Sequence, residues 1–207
     1  MKMTLQILIL VLTAISHQTV FGSEETNVIA LGLWSLPVAN EYGATVRGRL
    51  LMREDWRKGS SGHRDVGVYV EFQEYSESGT DVRLYCDFAR GLKCQLTDAA
   101  GKAIETDRGF GYSGGAPSPQ WISLSPYSSV CLRASLFGGG RLESGGLGIW
   151  FLGSGVWTIK AGDTNTYFLS GTLTVSPPQN NTNNFAHTEI WGGTLNLPKI
   201  KILTGPQ

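Results

Sequence analysis

The chain has 207 residues, 17 basic and 17 acidic side chains, and a charged fraction of 16%. That balance excludes a basic field able to draw in nucleic acid or an anionic membrane surface. With 27 glycines, six Trp, seven Tyr and eight Phe, the composition instead fits an extracellular all-β protein rich in turns.

Residues 1–22 read as a signal peptide. Lys2 supplies a positive start, and LQILILVLTAI (5–15) is an apolar run too short to span a bilayer comfortably. Val20 and Gly22 occupy the −3 and −1 positions of a cleavage site before Ser23. Residues 23–207 then form a single domain of about 185 residues, enough to bury a core. It carries one more acid than base. The expected location is secreted or periplasmic, with no stable membrane insertion once the leader is removed.

No window after the leader places apolar residues at helical spacing, whereas period-2 alternation recurs. In DVGVYVEFQ, Val66, Val68, Val70 and Phe72 share one face, and Gly67, Tyr69, Glu71 and Gln73 the other. Val82, Leu84 and Cys86 point inward in DVRLYCDF, as do Leu92, Cys94 and Leu96 in LKCQLTD. SVCLRAS, VWTIKAG and TYFLSGTLTVS repeat the habit, separated by glycine- and Ser-rich turns such as KGSSG and GGG. Residues 177–187, PPQNNTNNFAH, read as a polar surface loop, and Pro198 marks an edge position or a strand start in the final segment. The pattern predicts an antiparallel, immunoglobulin-like β-sandwich of about eight to ten strands, with a closed β-barrel as the alternative.

The stretch GFGYSGG contains G-x-S-x-G around Ser113, the spacing of an esterase nucleophile elbow. An elbow needs a strand before and a helix after the serine. Polar KAIETDRGF precedes it, and Pro117 and Pro119 follow it. The two histidines of the mature chain, His63 and His187, lie in loops rather than on a scaffold that would hold a base. Ser113 therefore reads as a turn residue. No spacing of His or Cys indicates zinc, and Asp163-Thr164-Asn165-Thr166 reads as a β-turn rather than a calcium loop. No cofactor or metal is expected.

Cys86 and Cys94 lie in consecutive predicted strands in the inward phase. A turn centred on Arg90 would set them opposite each other, so a disulfide is expected between them. Cys131 falls in the opposite phase to Val130 and Leu132, facing outward. Most tryptophans read as core. Trp56, among charges, and Trp121 are the candidates for ligand contact, since an aromatic face suits a sugar. Asn180 begins an N-x-T sequon.

Several runs resemble a family of uncharacterised secreted bacterial proteins. They are LWSLPVANEYGATVRGRLLMRE, VGVYVEFQEYS, LYCDF with GLKCQL, WISLSPYSSVCLRASLFG, TYFLSGTLTVSP and WGGTLNLPKIKI. The resemblance implies a secreted, sandwich-like domain and brings no assigned activity or catalytic residue. The expected function is a non-catalytic binding or interaction domain for a protein or glycan partner, working through a strand edge or the loops at 55–64, 108–120 and 138–146. A carbohydrate-binding module and a serine hydrolase built on Ser113 are the alternatives.

Overall fold

The computed structural model describes residues 27–56, 64–76, 79, 81–107, 118–135, 140–141, 146–151, 155–178 and 189–202. In chain order the elements are β1 (Asn27–Leu31), β2 (Val38–Ala39), β3 (Thr45–Trp56), β4 (Arg64–Glu74), β5 (Val82–Cys86), α1 (Phe88–Gly91) and β6 (Leu92–Asp98). They continue with β7 (Gln120–Leu124), β8 (Ser129–Arg133), β9 (Gly140–Arg141), β10 (Leu147–Phe151), β11 (Gly155–Ile159), β12 (Tyr167–Val175), β13 (Ile190–Trp191) and β14 (Gly193–Ile202). The largest sheet runs β1-β3-β4-β9-β10-β11, with β2 also beside β3 and β8 beside β4. A second sheet is β14-β12-β6 and a third β13-β5-β7. The protein is all-β and its sheets are antiparallel apart from the short β13–β5 pair; none closes into a barrel.

Alternation builds the core. Leu50 and Met52 of β3 pair with Val70 and Val68 of β4, Val46 and Phe72 lie on the same inward face, and all are buried. On β14, Leu195, Leu197, Ile200 and Ile202 are buried while Lys199 and Lys201 are exposed. A Cβ added at Gly48 would lie 3.0 Å from Leu195 Cδ1 and 3.1 Å from Leu197 Cδ2, so β14 packs face to face over β3. Each such buried Val, Leu or Phe contributes about 1.5–3 kcal/mol relative to exposure. Pro198 sits where the β12–β14 register shifts, on the sheet's edge strand, where its missing N–H costs no ladder bond.

Three expectations need correction. The strands number fourteen among the described residues, because β2, β9 and β13 are two-residue pieces that alternation alone does not reveal. The face of β3 and β4 expected to be wet is partly dry: Leu51 and Tyr69 are direct cross-strand neighbours and buried, with the Arg53 guanidinium 4.0 Å from the Tyr69 ring centroid.

The third concerns the cysteines. Asp87 caps a one-turn helix, α1, by accepting from the Arg90 N–H at 3.2 Å. Gly91 passes so close to the Thr174 carbonyl that no side chain would fit. The turn carries the chain from one sheet into another: β5 pairs with β7 and β13, β6 with β12. The Cys86–Cys94 hairpin is therefore absent and its disulfide is not formed. Both cysteines are free, Cys86 buried and Cys94 opposite Gly171 of β12.

Candidate functional site

The outward face of β3 carries Arg47, Arg49 and Arg53, alternating with the buried positions. Neighbours of this phase stand roughly 7 Å apart along a strand. Trp34, from the segment between β1 and β2, lies across two of them: its ring centroid is 4.8 Å from the Arg47 guanidinium carbon and 4.2 Å from that of Arg49. Tyr75, just past β4, covers Arg47 at 4.2 Å. Arg47 Nε and Nη2 donate to Gln73 Oε1 at 2.8 and 2.6 Å. Arg49 Nε donates to Glu71 Oε2 at 2.7 Å, and Ser129 Oγ to Glu71 Oε1 at 2.8 Å.

Trp34 is placed by its neighbours. Gly32 N–H donates to the Leu50 carbonyl at 2.9 Å and Ser35 N–H to the Gly48 carbonyl at 2.8 Å. The buried Ser35 hydroxyl accepts from Gly48 N–H at 3.0 Å and donates to the Leu36 carbonyl at 2.9 Å. Ser35 turns inward and Trp34 outward, while Leu33 and Leu36 stand 78% and 86% exposed beside it. Ser35→Ala leaves the Gly48 N–H without this acceptor in a dry place. It is expected to lower unfolding free energy by about 1–3 kcal/mol, read from the denaturant midpoint.

A strained turn borders the stack. Tyr127, between β7 and β8, has φ 58°, a left-handed conformation that bulky residues rarely adopt. Its N–H donates to Glu74 Oε2 at 2.9 Å, and its ring is 64% exposed. Gln73 Nε2 donates to the Tyr127 carbonyl at 3.4 Å, so one amide joins Arg47 to this turn. Trp34, Arg47, Tyr75 and Tyr127 thus form one linked surface, with Arg47 on β3 and the three rings on the segments that flank the strands.

Two clefts lie elsewhere. One, of about 470 Å³, is lined by Ala39, Asn40, Glu41, Tyr42, Pro177, Ile190 and Gly192. Asn40 shapes it: its Oδ1 accepts from the Tyr42 and Ala44 N–H groups, and its Nδ2 donates to the Ile190 carbonyl. The hydrogen bond to the Glu41 carboxylate holds the Tyr42 phenol pKa above its ordinary value. The other, about 250 Å³, lies over Lys93, Cys94, Gln95 and Ser170–Thr172.

The residues singled out by sequence are scattered. Ser113, His63, His187 and Asn180 lie outside the described residues, as does the side chain of Trp56, which ends β3. The loops at 57–63, 108–117 and 142–145 lie outside them too. Trp121 is half-buried on β7, its ring 5.3 Å from that of its cross-strand neighbour Tyr85, in a sheet apart from the β3 face. Cys131 is exposed on β8 beside Glu71. Burial pushes the Cys86 and Cys94 thiols up to about 12, so both stay protonated at neutral pH and neither is a poised nucleophile. Asp163 accepts from Asn165 N–H and from the Tyr167 hydroxyl, which lowers its carboxyl pKa and closes a local turn. Arg47, Tyr75 and Tyr127 escaped sequence reasoning, and Trp34 was one of six tryptophans weighed as a sugar platform, of which most read as core. The available signal was the alternation of arginine with apolar residues in VRGRLLMRE.

No protein-family model, curated protein or solved structure matches this chain.

Proposed function

We propose that the chain is an exported, non-catalytic binding domain that engages a glycan on the outward face of β3. The apolar run at 5–15 supports export. The face-to-face packing of β14 on β3 supports an antiparallel, immunoglobulin-like β-sandwich as the scaffold.

One observation carries the reading: Trp34 is laid over two guanidinium groups and fixed from below by buried Ser35. A half-buried indole held this way offers a preformed apolar plate to a sugar ring, at little cost in side-chain ordering. The exposed rings of Tyr75 and Tyr127 extend it.

The test is titration of the mature chain with a panel of soluble polysaccharides, followed by calorimetry and tryptophan fluorescence. At least one polysaccharide is expected to bind, and Trp34→Ala to weaken it about tenfold or more with an unchanged melting temperature. A panel that binds nowhere, or binding that Trp34→Ala leaves intact, rules the reading out.

A further inference from the structure

The charge on the same face narrows the ligand. We infer that this surface takes an acidic polysaccharide, and that Arg47 is the residue that meets the sugar's oxyanion; this rests on the glycan reading above.

Arg47 has a neutral partner. Its Nε and Nη2 are both taken by the Gln73 amide oxygen, and among the described residues no carboxylate pairs with it. The nearby carboxylate on this face, Glu71, is already engaged through both oxygens, by Arg49 and by Ser129. On this face Glu71 therefore compensates Arg49, while the described partner of Arg47 is the neutral Gln73 amide. The whole chain is charge-balanced, so an anion would be drawn by the single Arg47 group rather than by a diffuse attraction for polyanions.

The guanidinium is also held still. Trp34 and Tyr75 stack on it at 4.8 and 4.2 Å, and Gln73 fixes its rotation about the long axis. What remains is the Nη1 edge, whose donors have no protein acceptor among the described residues. A planar donor group ordered in advance, beside an indole plate, is the arrangement that a carboxylate or sulfate on a sugar ring would meet with charge-assisted hydrogen bonds. A neutral sugar would leave that edge to water.

The experiment uses the mature chain with five probes: polygalacturonate, its fully methyl-esterified form, neutral dextran, dextran sulfate and single-stranded DNA, all at near-physiological salt, where exposed charges are screened over about 8 Å. One or both anionic probes are expected to bind, with the esterified polymer weaker by about tenfold or more. Polygalacturonate alone identifies a carboxylate ligand, dextran sulfate alone a sulfate ester. Gln73→Glu places an internal carboxylate on the Arg47 fork without removing Arg47 or either ring. It is expected to weaken the anionic probe about tenfold or more and to spare the melting temperature. Arg47→Met is expected to weaken it equally. Equal affinity for esterified and free polymer, lost in Trp34→Ala, keeps the glycan face and overturns the acidic ligand. Binding of single-stranded DNA as tight as that of the acidic polysaccharide overturns the sugar assignment. Failure of every probe overturns both readings.

Discussion

Replacing Glu74 with alanine is expected to lower the unfolding free energy by about 3–4 kcal/mol. The Glu74 side chain is 0% exposed. One carboxylate oxygen accepts the Ser76 N–H at 2.6 Å and the Ser76 hydroxyl, and the other accepts the Tyr127 N–H at 2.9 Å. Ser76 is itself buried, so its N–H finds no ready replacement in water. The Tyr127 N–H is a further donor that loses its acceptor in the alanine variant. Glu74→Gln keeps one acceptor oxygen and nearly the same shape, and is expected to cost about 1–2 kcal/mol. Equilibrium denaturation checks both through the midpoint at constant slope. A loss below about 1 kcal/mol for alanine would show that the carboxylate is not what anchors the turn.

Trp191→Ala is expected to cost about 3–5 kcal/mol and to lower the melting temperature by roughly 10 °C. Trp191 is 0% exposed, the largest fully buried side chain among the described residues. Its indole N–H donates to the Val38 carbonyl at 2.9 Å, tying β13 to β2 across the chain. Gly193 leaves room for the ring, since a Cβ there would lie 3.0 Å from it. Trp191→Phe preserves most of the volume and loses the bond, so a smaller loss of about 1–2 kcal/mol is expected. Equal losses for alanine and phenylalanine would mean that the hydrogen bond, and not the filled volume, matters there. The neighbouring cleft lined by Ala39, Ile190 and Gly192 provides a second readout, because it depends on the same junction.

The inward phase was legible wherever a strand has one dry face. Val82, Leu84 and Cys86 are buried in the order alternation predicts, and so are Ile200 and Ile202, whereas Leu195 and Leu197 are buried in the other phase because the register shifts at Pro198. Alternation says nothing about which strand lies alongside. The β5–β6 hairpin failed for that reason: Asp87 and Gly91 encode a helical turn, and the partners of the two strands, β7, β13 and β12, come from distant sequence. The Trp34 face was hidden by the same limit. Trp34 precedes Arg47 by a turn and a strand edge, and Tyr75 and Gln73 arrive from β4, so the stack exists only after pairing. Tyr127 gave no signal, since tyrosine is among the residues least expected at positive φ.

The packing of β14 against β1, β2 and β3 has a kinetic side. The last strand of the described body rests on the first, so the core cannot be sealed until both are present. Loops of this span make closure entropically slow, and folding is expected to be governed by distant pairings rather than by local nuclei. Until β14 docks, the inner surface of β3 and the pairing edge of β12 stay open and adhesive, so this interval is the one in which clumping is favoured.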